Sequence, residues 1–130
     1  MAYELNKLTP NLVVADVARS LAWYRDVLGF EAVMTVPDAA PFAFAMVKSG
    51  AVEIMLNSAE SATTEYPAFK NRSLGGTLTF FIDVSEIDRV HAELKDRVSI
   101  VMPLEKKWYG VTEFAFTDPD GYIITFAQNG

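Results

Sequence analysis

TEFAFTDPDGYIITFA, residues 112–127, predicts two alternating strands joined by a tight turn. Pro119 fixes φ at the second position of the turn, and Gly121 accepts a backbone angle that a side chain would oppose. Phe114 and Phe116 share one face of the first strand, and the opposite face carries polar and small side chains. A face of such mixed composition suits a pocket better than a core. The hairpin therefore predicts a sheet with one buried face and one face available to a ligand.

The composition describes a single globular unit of 130 residues. Hydrophobic residues make up 51% and charged residues 22%, which is enough apolar material for a core. A net charge of -6 argues against a nucleic-acid partner and is compatible with a cationic ligand. The absence of cysteine excludes disulfides and thiolate chemistry. Neither a leader pattern nor an apolar run of about 20 residues is present, so we expect a cytoplasmic protein without a membrane partner.

The first half of the chain predicts a strand, a helix and three further strands. They fall at 8–15, 18–28, 30–36, 42–48 and 51–57. Asp16 is placed to cap the helix. Gly29 is placed to end the helix in the left-handed conformation, with Phe30 folding back onto its last turn.

The second half repeats this order. Strands are predicted at 76–84, 98–102, 108–117 and 122–127, with a helix between the first two that carries the lone histidine, His91. Ser85 and Asp88 resemble a capping box for that helix. The polar segment 58–73 reads as a linker with at most one helical turn. The chain therefore divides into modules 1–57 and 74–130.

Each module has one helix, which can cover only one face of its strands. Pairing the modules edge to edge predicts an α+β fold of two tandem βαβββ units that form one curved eight-stranded mixed sheet. The helices would cover the convex side. The concave side is then an open cup and the candidate site.

The run LVVADVARSLAWYRDVLGFE at 12–31, the repeated βαβββ pattern and the closing DPDGYIITF at 118–126 resemble the vicinal oxygen chelate superfamily. That superfamily includes glyoxalase I, extradiol dioxygenases, and fosfomycin- and bleomycin-resistance proteins. The resemblance covers essentially the whole chain. It implies paired βαβββ modules, a homodimer and a ligand site in the cup.

The metal-dependent members of that superfamily hold a divalent ion with one side chain from each of four strands. Alignment of the motifs places Thr9, Met55, Thr77 and Thr125 at those positions. Hydroxyls and a thioether are not the ligands that such an ion needs. We therefore predict no metal and no cofactor. Carboxylates near this register, Glu53 and Glu113, leave open a weak metal site or an acid–base role.

Strand alternation predicts which side chains line the cup. The predicted ligand-binding residues are Thr9, Asn11, Phe44, Glu53, Met55, Thr77, Phe81, Trp108, Tyr109, Glu113 and Thr125. Phe44 is interpreted first as core or dimer packing and second as an aromatic wall for a planar ligand. Trp108 and Tyr109 are interpreted as contacts to a ligand or to a dimer partner. His91 is expected to pack on the convex side.

The resemblance, together with these residues, implies two candidate functions. The first is a metal-free binding protein of the bleomycin-resistance type, which sequesters a cationic aromatic compound or antibiotic in an acidic cup at a dimer interface. The alternative is a glyoxalase-like lyase or isomerase, or a dioxygenase, that uses a metal or one of the catalytic candidates Glu53 and Glu113.

Overall fold

The order of helices and strands repeats along the chain. The computed structural model describes residues 3–130. The first module contains β1 (Asn11–Val14), α1 (Val17–Asp26), β2 (Glu31–Val36), β3 (Phe44–Ser49) and β4 (Val52–Ser58). Then follow α2 (Ala59–Glu65) and a 3-10 turn (Pro67–Phe69). The second module contains β5 (Thr79–Asp83), α3 (Ile87–Leu94), β6 (Ser99–Lys106), β7 (Val111–Thr117) and β8 (Ile123–Asn129).

The strands confirm the predicted fold class of two βαβββ modules. Hydrogen bonding divides the eight strands into two four-stranded sheets, in place of the one continuous sheet that we expected. Sheet 1 has the order β1-β4-β3-β2, and sheet 2 has the equivalent order β5-β8-β7-β6. In each sheet the first strand of the module runs parallel to the last, and the other pairs are antiparallel.

One hydrophobic core joins the two modules. Leu56 of sheet 1 and Phe116 of sheet 2 are both fully buried in it. Helix α1 packs on β3 and β4, and its Trp23 ring also approaches Phe116, with 6.3 Å between ring centroids. Since α1 contacts the core side of both sheets, the opposite side of each sheet points away from the core. We call these two outward sides cup face 1 and cup face 2.

The predicted ends of α1 are confirmed. The Asp16 carboxylate accepts a hydrogen bond from the Arg19 backbone N–H at 3.1 Å, as an N-cap does. Gly29 has a φ of 77°, and the Phe30 N–H donates back to the Tyr24 carbonyl at 2.9 Å. The helix therefore stops where the sequence indicated.

The predicted capping box of α3 is wrong. The N-cap residue is Glu86, with a φ of 54° and no capping hydrogen bond from its side chain. The first N–H of the helix, from Ile87, donates instead to the Gln128 side-chain oxygen at 2.9 Å. Strand β8 supplies the cap because its last residues run beside the start of α3. A contact so distant in sequence cannot be seen in a local motif.

The segment 58–73 is more ordered than the predicted linker with one helical turn. It contains α2 and the following 3-10 turn. Ser58 caps α2 by accepting a hydrogen bond from the Ser61 N–H at 3.1 Å. Ala62 lies on the inner side of this helix and is buried. One buried alanine in a polar sequence gives almost no hydrophobic periodicity, which explains the error. Within residues 3–130 no helix has the length and hydropathy needed to cross a membrane.

Candidate ligand-binding site

Cup face 2 holds a buried carboxylate. Glu113 of β7 is only 5% exposed and lies directly opposite Glu105 of β6. The Tyr109 hydroxyl donates to Glu113 Oε2 at 2.8 Å. That hydrogen bond to a carboxylate raises the pKa of Tyr109, with burial as a smaller cause. Tyr109 and Glu113, each predicted separately as a ligand-binding residue, are therefore hydrogen-bonded to each other in the structure.

A pair of hydroxyls lies beside this carboxylate. Thr125 of β8 is buried, and its Oγ1 is 2.7 Å from the Thr79 Oγ1 of β5. Phe81 lies opposite Thr125 on the neighbouring strand. It is 61% exposed, so its ring is available to a ligand. Thr77 precedes β5 and is exposed. Thr79, rather than Thr77, is thus the β5 hydroxyl next to Thr125.

Cup face 1 combines amides with apolar groups. Met55 of β4 lies opposite Asn11 of β1. The Asn57 side chain donates to the Asn11 side-chain oxygen and accepts from the Ser61 hydroxyl at 3.3 Å. Phe44 registers opposite Asn57 on the same face and is half-buried. Its side chain therefore faces away from the core, as an aromatic wall requires.

The second candidate carboxylate is neutralised by a lysine of its own chain. Glu53 Oε1 lies 2.8 Å from Lys7 Nζ and accepts a hydrogen bond from the Thr9 hydroxyl at 3.4 Å. The Lys7 ammonium is the main reason that the pKa of Glu53 is lowered. A carboxylate held ionised in this way is a poor general base, because its affinity for a proton falls with its pKa.

A cleft of about 530 Å³ connects the two sheets at their edges. It brings Glu53 of sheet 1 together with Phe81 of sheet 2. Its other lining residues are Leu8, Pro10, Ala51, Val52, Ile54, Thr79, Phe80, Ile82 and Asp83. Among residues 3–130, β5 pairs with β8 alone, so its other edge borders this cleft.

Trp108 occupies the tip of the β6–β7 hairpin. It is 95% exposed and packs edge-on against Tyr109, with 5.1 Å between ring centroids. At the same tip, Lys107 forms an ion pair with Glu105. Trp108 is therefore available to a ligand or a partner, and its own chain leaves it uncovered.

The four positions that the motif alignment matches to metal ligands do not offer the donors that a divalent ion needs. Thr9 and Met55 belong to the first module, and Thr77 and Thr125 to the second. Their donors are three hydroxyls and a thioether, and a divalent ion requires nitrogen, carboxylate or carbonyl ligands. In the part of the chain from residue 3 onward, no three His, Asp or Glu side chains are grouped to hold a metal.

A polar network that the sequence did not predict joins α1 to the DPDG turn. Tyr24 donates through its hydroxyl to Asp118 Oδ2 at 2.8 Å. The Asp120 carboxylate accepts from the Ser20 hydroxyl at 3.2 Å and from Arg19 Nη2 at 3.3 Å. The sequence identified DPDG as a turn and as part of a family motif, but it did not show that the two carboxylates also join the second module to the first. His91 packs edge-on against Phe114 at 4.9 Å, as expected.

The fold and this site define the class of protein. A family model described as the Glyoxalase/Bleomycin resistance protein/Dioxygenase superfamily matches residues 5–126, and the chain belongs to that superfamily. Among curated relatives, a bleomycin resistance protein of Geobacillus stearothermophilus is 30% identical over 129 residues, covering 92% of this chain and 93% of that protein. A bleomycin resistance protein of Staphylococcus aureus matches with the same identity and coverage.

Solved structures share the same fold. TioX from Micromonospora sp. ML1 superposes with a TM-score of 0.77 at 20% identity, covering 96% of this chain and 99% of TioX. The bleomycin-binding protein of Streptomyces verticillus, solved with copper(II)-bleomycin, has a TM-score of 0.66 at 23% identity and covers 98% of each chain. At these identities the two structures show the shared fold.

Proposed function

We propose that this protein binds a cationic aromatic small molecule, of the kind represented by bleomycin, and releases it chemically unchanged. The observation that carries the proposal is the composition of the two cup faces. They hold a buried carboxylate in Glu113, available rings in Phe44 and Phe81, and hydroxyls or a thioether where a catalytic metal would need ligands. Such a site can hold a cation and a ring but supplies no Lewis acid.

Charge supports a cationic ligand. Glu113 and Glu105 lie directly opposite each other on adjacent strands, and a single lysine, Lys107, pairs with Glu105. Two carboxylates and one ammonium leave this part of the cup with a net negative charge. With a net charge of -6 on the chain, the field around the protein attracts cations. A cation that reaches Glu113 also lies near aromatic side chains, where cation–π attraction adds to the ion pair.

A homodimer completes this site in our proposal. Each cup face points away from the core of its own chain, so a single copy presents two half-sites on two different sheets. Apolar side chains remain open on both faces: Met34 is 52% exposed and Phe81 is 61% exposed. A second copy that places cup face 1 opposite cup face 2 would cover these side chains and enclose the ligand. Sequestration of an antibiotic in the cytoplasm is the cellular role that fits such a dimer.

Titration with bleomycin tests the proposal. We expect one bleomycin per cup by calorimetry, intact bleomycin by mass spectrometry after release, and a dimer by sedimentation. Glu113→Gln should weaken binding about tenfold or more, because it removes the buried charge. Glu53→Gln should have a smaller effect, because Lys7 already neutralises that carboxylate. Glu93→Gln is the control, because it removes one negative charge from an exposed position on α3. Absence of binding, or equal effects of the variants of Glu113 and Glu93, would contradict the proposal.

A second candidate is a metal-free acid–base enzyme. The observation that favours it is the hydrogen bond from Tyr109 to the buried Glu113, which places a proton donor beside a carboxylate inside a cup. This candidate predicts turnover that is lost in both Glu113→Gln and Tyr109→Phe. Incubation of the protein with methylglyoxal–thiol adducts, followed by product analysis, distinguishes it from binding alone. Formation of more than one equivalent of product per protein chain would favour the acid–base enzyme over a binding protein.

A further inference from the structure

Three methionine side chains form a row across cup face 1. Met46 of β3 lies directly opposite Met34 of β2 on one side and Met55 of β4 on the other. Asn11 of β1 continues the same row. Residues that lie opposite one another in a sheet project from the same face. The chain thus places three thioethers side by side on three adjacent strands.

The row faces away from the core and is open. The neighbouring residues Ala45 and Val47 of β3 are fully buried in the core, so Met46 between them projects to the other side. Met34 is 52% exposed, and Met46 and Met55 are half-buried. The methionines are therefore not core fillers, which is the commonest role of this residue type.

The rows on either side limit what the methionine row can accept. On one side, Lys48 lies opposite both Glu31 and Glu53, which forms a charged row. On the other side, Phe44 lies opposite Asn57, and the amide of Asn57 is held by side-chain hydrogen bonds. The thioethers thus form a narrow apolar strip between a charged border and an aromatic and amide border. Such a strip accommodates one flat ring system with a charge at its edge.

Thioethers suit this task for a physical reason. Sulfur is polarizable and makes favourable contacts with aromatic rings, and the unbranched side chain adapts to rings of different shape. Each sulfur–ring contact contributes a factor of about two to ten in affinity. The charged border carries both signs, because Lys48 lies between Glu31 and Glu53, and it therefore borders an apolar ring without itself holding the cation. A protein partner would need a far larger surface than three side chains provide.

We propose that Met34, Met46 and Met55 form the wall that selects the aromatic part of the ligand and tolerates variation in the shape of its rings. This inference rests on the proposed function and deepens it. It assigns the choice of ligand to polarizable side chains on module 1, while Glu113 on module 2 holds the cation. Binding should then depend on aromaticity and only weakly on ring outline.

A pair of matched amines tests the wall. The probes are 2-naphthylmethylammonium and its fully saturated decahydronaphthyl counterpart, which have the same charge and similar size. The wild-type protein should bind the aromatic amine about five times or more tightly than the saturated one. In protein labelled with ¹³C at the methionine methyls, the aromatic amine should shift the Met34, Met46 and Met55 signals through its ring current. Single replacements by leucine assign these signals.

The triple variant M34L/M46L/M55L keeps the volume and hydrophobicity of the wall but removes the sulfur. It should bind the saturated amine as the wild type does and lose the preference for the aromatic one. Unchanged preference in the triple variant, or methyl shifts confined to other methionines, would overturn the inference while leaving the proposed function intact. If bleomycin and both amines fail to bind the wild-type protein, the proposed function itself fails. Circular dichroism and thermal melting confirm that the variant is folded.

Discussion

Replacing Tyr24 by phenylalanine removes one hydrogen bond between the modules and leaves the packing unchanged. The Tyr24 ring is fully buried. Its hydroxyl donates a hydrogen bond to Asp118 Oδ2 at 2.8 Å, and Asp118 is 5% exposed. The other Asp118 oxygen accepts two backbone N–H groups, from Asp120 and Tyr122, both at 2.9 Å. In Tyr24→Phe, Asp118 Oδ2 therefore loses its partner and remains buried. A hydrogen bond to a buried charged group contributes about 1.5–3 kcal/mol, so we expect a loss of roughly 2 kcal/mol at pH 7.

The loss of unfolding free energy in Tyr24→Phe should be larger at neutral pH than at acid pH. Burial raises the pKa of Asp118 above its usual range, and the hydrogen bond from Tyr24 counteracts part of that rise. Removing the hydroxyl therefore raises the folded-state pKa of Asp118 further. The ionised carboxylate is the form that needs the hydroxyl, so the full loss is present at neutral pH. It should shrink as the pH falls through the folded-state pKa of Asp118 and the carboxylate becomes protonated.

Urea denaturation of wild-type protein and Tyr24→Phe from pH 7 down to pH 4 measures this effect. At pH 7 the midpoint of thermal unfolding should fall by roughly 6–10 °C, given a chain of this length. Tyr122→Phe is the matched control, since its hydroxyl donates to the neutral Val13 carbonyl at 2.7 Å. That change should cost about 1 kcal/mol with no trend over this pH range. A Tyr24→Phe loss below about 0.5 kcal/mol at pH 7, or a loss that stays constant down to pH 4, would refute the reasoning.

Three further predictions concern Gly75, Gln128 and Glu113. Gly75→Ala should lower the free energy of unfolding in urea by roughly 2–3 kcal/mol, because φ is 97° and the new Cβ would lie 3.0 Å from a backbone oxygen. Gly121→Ala is the control. Its φ is 90°, but the space around the new Cβ is open, so it should cost only about 1 kcal/mol. Gln128→Leu should cost about 1 kcal/mol by removing the cap of α3, whereas Gln128→Glu should retain stability, as circular dichroism melts would show. Glu113→Gln should lower the pKa of Tyr109, since the raised value depends on the carboxylate. Ultraviolet titration against Tyr109→Phe measures that pKa, and an unchanged value would contradict the observed hydrogen bond.

Local sequence patterns predicted part of the candidate site. Alternation placed Glu53 and Met55 on one side of β4 and Ile54 on the other, and burial agrees with this division. The methionine row was not predicted, because three residues on three strands become neighbours only through the register of the sheet. The ion pair of Glu53 with Lys7 was missed for the same reason. Sequence indicates which face a side chain occupies but not which side chain lies beside it.

The sequence by itself determined the two βαβββ modules and the ends of α1 at Asp16 and Gly29, since these depend on periodicity and turn residues within a few positions of one another. The superfamily followed from the resemblance of two motifs to those of known members. Only the tertiary structure decided that the strands form two sheets around one core, with both cup faces pointing outward. That outcome depends on Trp23 and Tyr24 of α1 packing against residues of the second module. Such contacts join residues far apart along the chain, and their free energy arises only once both modules are folded.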